Sequence, residues 1–329
     1  KHTQLENLDN INIFVGRNAT GKSTILEALY LTLSLGDEID FILKRRGWFG
    51  LPTVTNIFHN NAKAITIKTT FNNTHQTIKI EKANPQSDDI EVIKSKNLDT
   101  EKLMAIHITS QGIASRDTLF YIDESGKKLL IGRGPVHPPS WEAVFIDWNE
   151  VLKYGNPEDV YSIMIKKGGT QSKKLILDIL KKSYSEITNI EPLKLNNRWV
   201  LHLIYKDRAL PYYVTGDGIR YALIYLMHLT ISKNSFLMLE EPELHTHPGL
   251  LKLITETIIK ASTELNNQIF ITTHSLELID MLINKANQYK TNNIKFYRTI
   301  LENGELKTDT YTLQEAQKLR KDLEYDLRW

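Results

Sequence analysis

No cysteine occurs among the 329 residues. That absence removes disulfides, thiolate metal sites and cysteine nucleophiles, and it fits a reducing, cytoplasmic location. No apolar run approaches the ~18 residues of a membrane-spanning helix, so no membrane partner is expected. No signal peptide is visible either, in a chain that starts at Lys1 rather than Met. Charge of one sign is missing too: 41 Lys and Arg against 39 Asp and Glu leave a net +2. Contact with nucleic acid would therefore have to come from a local basic patch. Internal repeats and low-complexity tracts are not seen. What is present, 41% hydrophobic and 24% charged residues, is the composition of a globular protein, long enough for one large domain or two ordinary ones.

The apolar run Ile11–Val15 reads as a strand. It leads into the glycine loop "GRNATGKST", and a helical pattern follows from Ser23 to Ser34. Between Ala64 and Ile131, short segments of period two separated by "NN" and "ESGK" turns suggest an antiparallel meander. The breaker cluster Gly132–Ser140 closes that region. A helical pattern is expected from about Trp141 to Ile187, and strands over "RWVLHLIYKD" and "LPYYV". After these come a helix from Ile219 to Ile231, a buried strand "SFLMLEE", a helix Pro248–Leu265, a strand "QIFITTH" and a helix Ser275–Asn287. Strands alternating with helices of this length make a largely parallel sheet covered by helices. The expected class is α/β: one domain over residues 1–329 whose two ends build the core. The middle supplies an antiparallel lobe and a helical insertion, residues 141–190.

The loop Gly16, Arg17, Asn18, Ala19, Thr20, Gly21, Lys22, Ser23 has the spacing Gly-x-x-x-x-Gly-Lys-Ser, followed by Thr24. Glycines let consecutive N–H groups curl around phosphate oxygens, and the helix that follows adds its positive end. Lys22 is expected to reach the β- and γ-phosphates and the Ser23 hydroxyl to hold Mg²⁺. Chance produces such a match on the order of once in a hundred chains of this length. The flanking strand and helix make nucleoside triphosphate binding the reading here.

Glu240 and Glu241 emerge at the carboxyl end of the strand "FLMLE", where open α/β sheets bind ligands. Such a pair can simply open a solvated loop. Beside a phosphate loop the first acid is read as a metal-shell residue and the second as the one that polarises water. His274 ends the next strand, in "ITTHS", where it can meet a γ-phosphate. In "VTGDGIRYALIYL", Gly216 and Gly218 open a helix and offer a second set of N–H groups to an anion, a weak signal by itself.

Together these elements resemble the ATP-binding-cassette class of P-loop ATPases, within it the branch related to OLD (overcoming lysogenization defect) proteins and to SMC-type heads. The run "LEEPELHTHP" is the strongest match; "GDGIRYALIYL" is similar to the cassette signature, "TTHS" to the switch histidine and "EYDLRW" to the family's ending. The resemblance implies an ATP- and Mg²⁺-dependent homodimer. Each ATP would be held between Lys22 of one head and Thr215, Gly216 and Gly218 of the other, with Glu241 activating water and His274 reporting the γ-phosphate. It departs from the family at Glu240, usually Asp, and in a signature without its serine. The family's metal-contacting glutamine is best matched by Gln111.

A GTP switch is disfavoured because "NKAN" lacks the acid of the guanine motif, and "PELHTHP" argues against a transporter subunit. An insertion of ~50 residues at ~1.5 Å each reaches too short a distance for long SMC arms. A Toprim nuclease would need on the order of a hundred further residues, so the expectation is a stand-alone head whose nuclease, if any, is a separate partner. His245 and His247 are too few for a zinc site. Lys166, Lys167, Lys173, Lys174, Lys181 and Lys182 form either a solvated helix surface or a nucleic-acid contact, and "KRRGWFG" either grips bases or caps a loop. Two function classes stay open: an ATP-driven enzyme in DNA metabolism or antiviral defence, and a slow ATP-gated scaffold for a partner effector.

Overall fold

The computed structural model describes residues 3–58, 62–71, 74–133, 141–147, 157–244, 246–303 and 305–328. Most of the breaker cluster and His245 lie outside these. Two compact units form, one of residues 1–26 and 143–329 and one of residues 27–142. The class is α/β, as expected.

In the first unit the strand β1, Ile11–Val15, is buried along its whole length. A strand of five buried residues needs neighbours on both edges and helices on both faces, the environment of a parallel sheet. The later strands are β2 Ala64–Phe71, β3 Thr74–Ala83, β4 Leu103–Gly112, β5 Arg116–Asp123, β6 Lys128–Arg133 and β7 Ala143–Ile146. They continue with β8 Ile187–Leu195, β9 Arg198–Tyr205, β10 Ala209–Pro211, β11 Phe236–Glu240, β12 Gln268–Thr273, β13 Ile294–Glu302 and β14 Glu305–Thr312. Six of them make the main sheet in the order β14-β13-β1-β12-β11-β7. All its pairings are parallel except β13 with β14. β8, β9 and β10 form a separate antiparallel sheet.

The helices Asp217–Leu229, Pro248–Leu265 and Leu276–Gln288 bury apolar residues in the same core as β1, β11 and β12. Each buried Leu or Ile contributes about 1.5–3 kcal/mol. Local signals set their ends. Pro248 occupies the first turn behind the cap His247, Asn266 closes that helix in the left-handed region, and the Ser275 hydroxyl accepts the Leu278 N–H at 3.2 Å.

The stretch expected to be helical from Trp141 is different. Ala143–Ile146 is strand β7, parallel to β11, and the helical segment runs over Pro157–Ser183 with a break at Gly169, φ 68°. Its Tyr161, Met164, Ile176 and Ile179 belong to the main core. The run "LPYYV" is strand only to Pro211; Tyr212–Val214 is a 3₁₀ turn, since proline has no N–H to extend the ladder.

The second unit holds the antiparallel meander β2-β3-β4-β5-β6, as the alternation predicts. One apolar cluster in it joins Ile93 and Leu98 to Ala105, Leu119 and Tyr121.

Candidate active site

β1 stands between β12 and β13, so the loop after it leaves the sheet beside the ends of both. Gly16 has φ 149°, and a Cβ there would fall 2.5 Å from Thr299 Oγ1 and 2.7 Å from the Thr299 carbonyl. Only glycine fits. Gly21 (φ 91°) and Ala19 (φ 61°) complete the curl. Thr299, on β13, braces the loop: its hydroxyl donates to the Val15 carbonyl at 3.0 Å and lies 2.7 Å from the Thr20 hydroxyl. Arg17, Asn18, Ala19 and Thr24 are exposed, Gly16 and Thr20 are buried, and Ser23 is half-buried at the helix start. Helix Lys22–Leu33 begins here, and the N–H groups of its first turn have no acceptor within the helix.

Lys22 folds back across the loop. Its Nζ donates to the carbonyls of Gly16 at 2.9 Å and Arg17 at 2.8 Å. Burial pushes the ammonium below its ordinary pKa, and the nearby Glu241 and Glu243 carboxylates oppose that shift. The lysine expected to meet phosphate is thus a desolvated cation facing acids from the loop after β11.

Glu240 ends β11 and is buried, 8% exposed. Glu241 turns the chain through the left-handed region, φ 43°, and its N–H donates to the Thr272 carbonyl at 3.0 Å, lacing the ends of β11 and β12 together. This brings the two predicted catalytic groups into contact: His274 Nδ1 lies 3.1 Å from Glu241 Oε1. In this contact a ring N–H is the donor and the carboxylate oxygen the acceptor. Glu243, to which the sequence reading assigns no role, accepts from the Thr273 hydroxyl at 2.6 Å and from the His274 N–H at 3.1 Å. Burial raises its pKa, against those hydrogen bonds and the nearby His274. Arg328, in the terminal "EYDLRW", donates to the His274 carbonyl at 3.2 Å and is held by Asp326.

Gly216 caps helix Asp217–Leu229, its carbonyl accepting from Ile219 and Arg220 at 3.0 and 3.1 Å. Thr215 returns its hydroxyl to the Tyr212 carbonyl at 2.6 Å. A Cβ on Gly218 would sit 2.9 Å from His247 Nε2, so the glycine turn packs against the loop that follows the paired acids. The opposite nitrogen, His247 Nδ1, accepts from Gly249 at 3.1 Å and Leu250 at 3.3 Å. His247 is thereby a helix cap. Tyr213 and Val214 beside the turn are 47% and 57% exposed.

The structure therefore gathers Lys22, Glu241, Glu243 and His274 into one cluster and sets Gly218 against His247. Gln111 stands in the other unit, on the exposed end of β4 opposite Thr77. The basic stretches are partly accounted for. Arg45 and Arg46 both pair with buried Glu27 at 2.7 Å, and Lys44 pairs with Asp40; Lys44 and Arg45 stand in the last turn of helix Ile39–Arg45, and Phe49 is left 61% exposed. Lys182 and Lys285 share buried Glu256. The break at Gly169 removes Lys166 and Lys167 from the helix that carries the other four lysines.

The model of the AAA ATPase domain family matches residues 1–130 and 146–279. The chain belongs to this family. It is a family of ATPase domains, and the activity that follows is binding and hydrolysis of ATP. Two proteins of Methanocaldococcus jannaschii are similar to it. Uncharacterized protein MJECL10 is 26% identical over 210 residues, 62% of this chain and 90% of the relative. Uncharacterized protein MJECL11 is 32% identical over 114 residues, 34% of this chain and 98% of the relative. Among solved structures, an Smc head bound to the C-winged helix domain of ScpA is 13% identical, with 94% of this chain and 92% of that one covered and a TM-score of 0.48. That score is low, and the family assignment stands on the sequence match. Among the described residues no helix is long and apolar enough to cross a membrane.

Proposed function

We propose that this ATPase domain is a head of the ATP-binding-cassette type, of the OLD-like branch, that closes in pairs around two ATP molecules. The observation that carries the reading is the contact between His274 and Glu241, 3.1 Å, formed within electrostatic reach of Lys22. A phosphate-facing cation, a carboxylate able to orient water and a histidine that senses both are the groups γ-phosphate hydrolysis needs. In this reading Lys22 offsets charge on the β- and γ-phosphates. Glu241 orients the attacking water, whose oxygen bonds to the γ-phosphorus as the bond to the ADP oxygen breaks. His274 holds Glu241 in place. Arg17, Asn18, Ala19, Thr20, Gly21 and Thr24 line the phosphates, and Thr215, Gly216 and Gly218 close over the partner head's ATP.

The donor set suits Mg²⁺: Ser23 offers a hydroxyl at the helix start and Glu240 a carboxylate at the end of β11, both hard oxygen ligands. Gln111, the metal-contacting glutamine that the resemblance implies, belongs to the other unit. When bound, Mg²⁺ would act as a Lewis acid on the phosphoryl oxygens. Residues 1–329 are taken as one head with an insertion over 141–190, acting in the cytoplasm in DNA metabolism or antiviral defence through a separate effector such as a nuclease.

Glu240 in place of the usual Asp favours a second reading, a slow ATP-gated scaffold, because one extra methylene shifts a ligand whose metal demands near-ideal geometry. Size-exclusion chromatography of Glu241→Gln with and without ATP tests the head model: an ATP-dependent dimer is expected, and an unchanged monomer peak refutes it. Hydrolysis stimulated by DNA favours the enzyme reading. ATP-dependent dimers with little turnover and no response to DNA favour the scaffold.

A further inference from the structure

We propose that Glu243 and Arg328 are positioning residues that clamp the His274 peptide from both sides and thereby hold its ring on Glu241; this rests on the hydrolytic reading of that site. The side chain of Glu243 is 9% exposed, and one of its oxygens takes two hydrogen bonds from the end of β12, from the Thr273 hydroxyl at 2.6 Å and the His274 N–H at 3.1 Å. Arg328 donates to the carbonyl of the same residue at 3.2 Å, with its guanidinium steadied by Asp326. The backbone of His274 is therefore tied at its N–H and at its carbonyl. With the backbone fixed, the ring Nδ1 sits 3.1 Å from Glu241 Oε1, with Glu243 Oε1 further off at 3.9 Å.

A buried carboxylate is a costly choice for a structural acceptor. The other oxygen of Glu243 is buried without a hydrogen-bond partner among the described residues, so the side chain is not there to complete a network. It lies instead where three parts of the site meet. Lys22 of the phosphate loop and Tyr225 of the helix capped by Gly216 both feel its charge. A clamp at this junction fixes the dyad relative to both phosphate-binding glycine turns without touching the phosphates.

The geometry makes separable demands. Leucine at 243 removes the acceptor and keeps comparable bulk. Glutamine keeps one carbonyl oxygen in the acceptor position and places its amide where the unpartnered oxygen lies. Valine at 273 removes the hydroxyl donor, and serine keeps it.

The test is steady-state ATP hydrolysis and titration with a fluorescent ATP analogue, on Glu243→Leu, Glu243→Gln, Thr273→Val, Thr273→Ser, Arg328→Ala and the double variant Glu243→Leu/Thr273→Val. A misplaced dyad should lower kcat for Glu243→Leu by about tenfold to a hundredfold. KM and analogue affinity should stay within about threefold, because the phosphate contacts are intact. Glu243→Gln and Thr273→Ser should recover most of kcat, and the double variant should be no worse than Glu243→Leu alone. Arg328→Ala should again lower kcat without altering affinity. If Glu243→Leu fails to fold, the Thr273→Val and Thr273→Ser pair carries the same decision.

The clamp is overturned if Glu243→Leu and Thr273→Val turn over at the wild-type rate while Glu241→Gln is inactive. It is also overturned if Glu243→Gln is as impaired as Glu243→Leu, or if the loss appears in affinity rather than kcat. Those results would leave the hydrolytic reading standing. Wild-type hydrolysis by Glu241→Gln would overturn both.

Discussion

Gly16→Ala tests the phosphate loop as a built object rather than a sequence pattern. The added Cβ meets its two nearest obstacles on Thr299, the hydroxyl at 2.5 Å and the main-chain carbonyl at 2.7 Å, with the Thr20 hydroxyl next at 3.2 Å. The hydroxyl can turn aside. The carbonyl cannot, because β13 is paired on both edges, with β1 and with β14. The backbone at Gly16, φ 149°, is also one that alanine rarely adopts. Strain of that kind costs about 1–3 kcal/mol, and forcing a methyl into a packed site about 1–3 more. The sum, about 2–6 kcal/mol, is a large part of the ~5–15 kcal/mol that holds a typical domain together.

Urea unfolding of Gly16→Ala, Thr299→Ala and the double variant measures both terms. Thr299→Ala alone should cost about 1–2 kcal/mol, since it removes the hydroxyl's bonds to the Val15 carbonyl and to Thr20. In that background the hydroxyl obstacle is gone and the carbonyl remains, so Gly16→Ala should recover no more than about half its cost. ATP-analogue binding should be lost in either background, because the loop must move to seat the methyl. Gly16→Ala within about 0.5 kcal/mol of wild type, or full recovery with Thr299→Ala, would refute the claim that the β13 backbone shapes the loop.

The parts of the site legible in the sequence are those whose elements are contiguous. Ile11–Val15, the glycine loop and the helix after it are one unbroken segment, and Glu240 with Glu241 directly follows the apolar run that positions them. His274 directly follows its own strand in the same way. The supports escape notice because their partners are remote. Thr299 meets Thr20 across 279 residues, and Arg328 meets His274 across 54. Glu243 lies inside the run that carries the resemblance, yet its role depends on Thr273, 30 residues on. β7 reads as helix because four residues, "AVFI", carry no period of their own, and pairing with β11 makes them a strand. The lysine stretch did carry a warning: Gly168 and Gly169 sit within it, and the left-handed Gly169 divides the helix.

Lys22→Met should abolish ATP-analogue binding while leaving the thermal midpoint of the nucleotide-free protein unchanged or higher. Burial lowers the folded pKa of Lys22 below its ordinary 10.5, so its charge opposes folding, a cost lost only as pH rises towards that ordinary value; a substantial fall in midpoint at neutral pH would contradict this. Glu256→Gln should lower stability in a pH-dependent way. Burial alone would raise the Glu256 carboxyl, but hydrogen bonds and charge from Lys182, Tyr289 and Lys285 hold it at about 2, below its ordinary 4.5. An acid whose folded pKa is depressed stabilises the fold above its unfolded pKa and loses that contribution as pH falls through the folded one, here from about 4.5 down through about 2. The whole shift would be worth about 3 kcal/mol. Lys182 is half exposed, and screening there reduces the expected difference between wild type and Glu256→Gln to about 1–2 kcal/mol at neutral pH. Urea midpoints taken from pH 7 to pH 2.5 should show that difference closing as the acid is titrated. A gap that stays constant across the range would mean that Glu256 acts through packing and not through its charge.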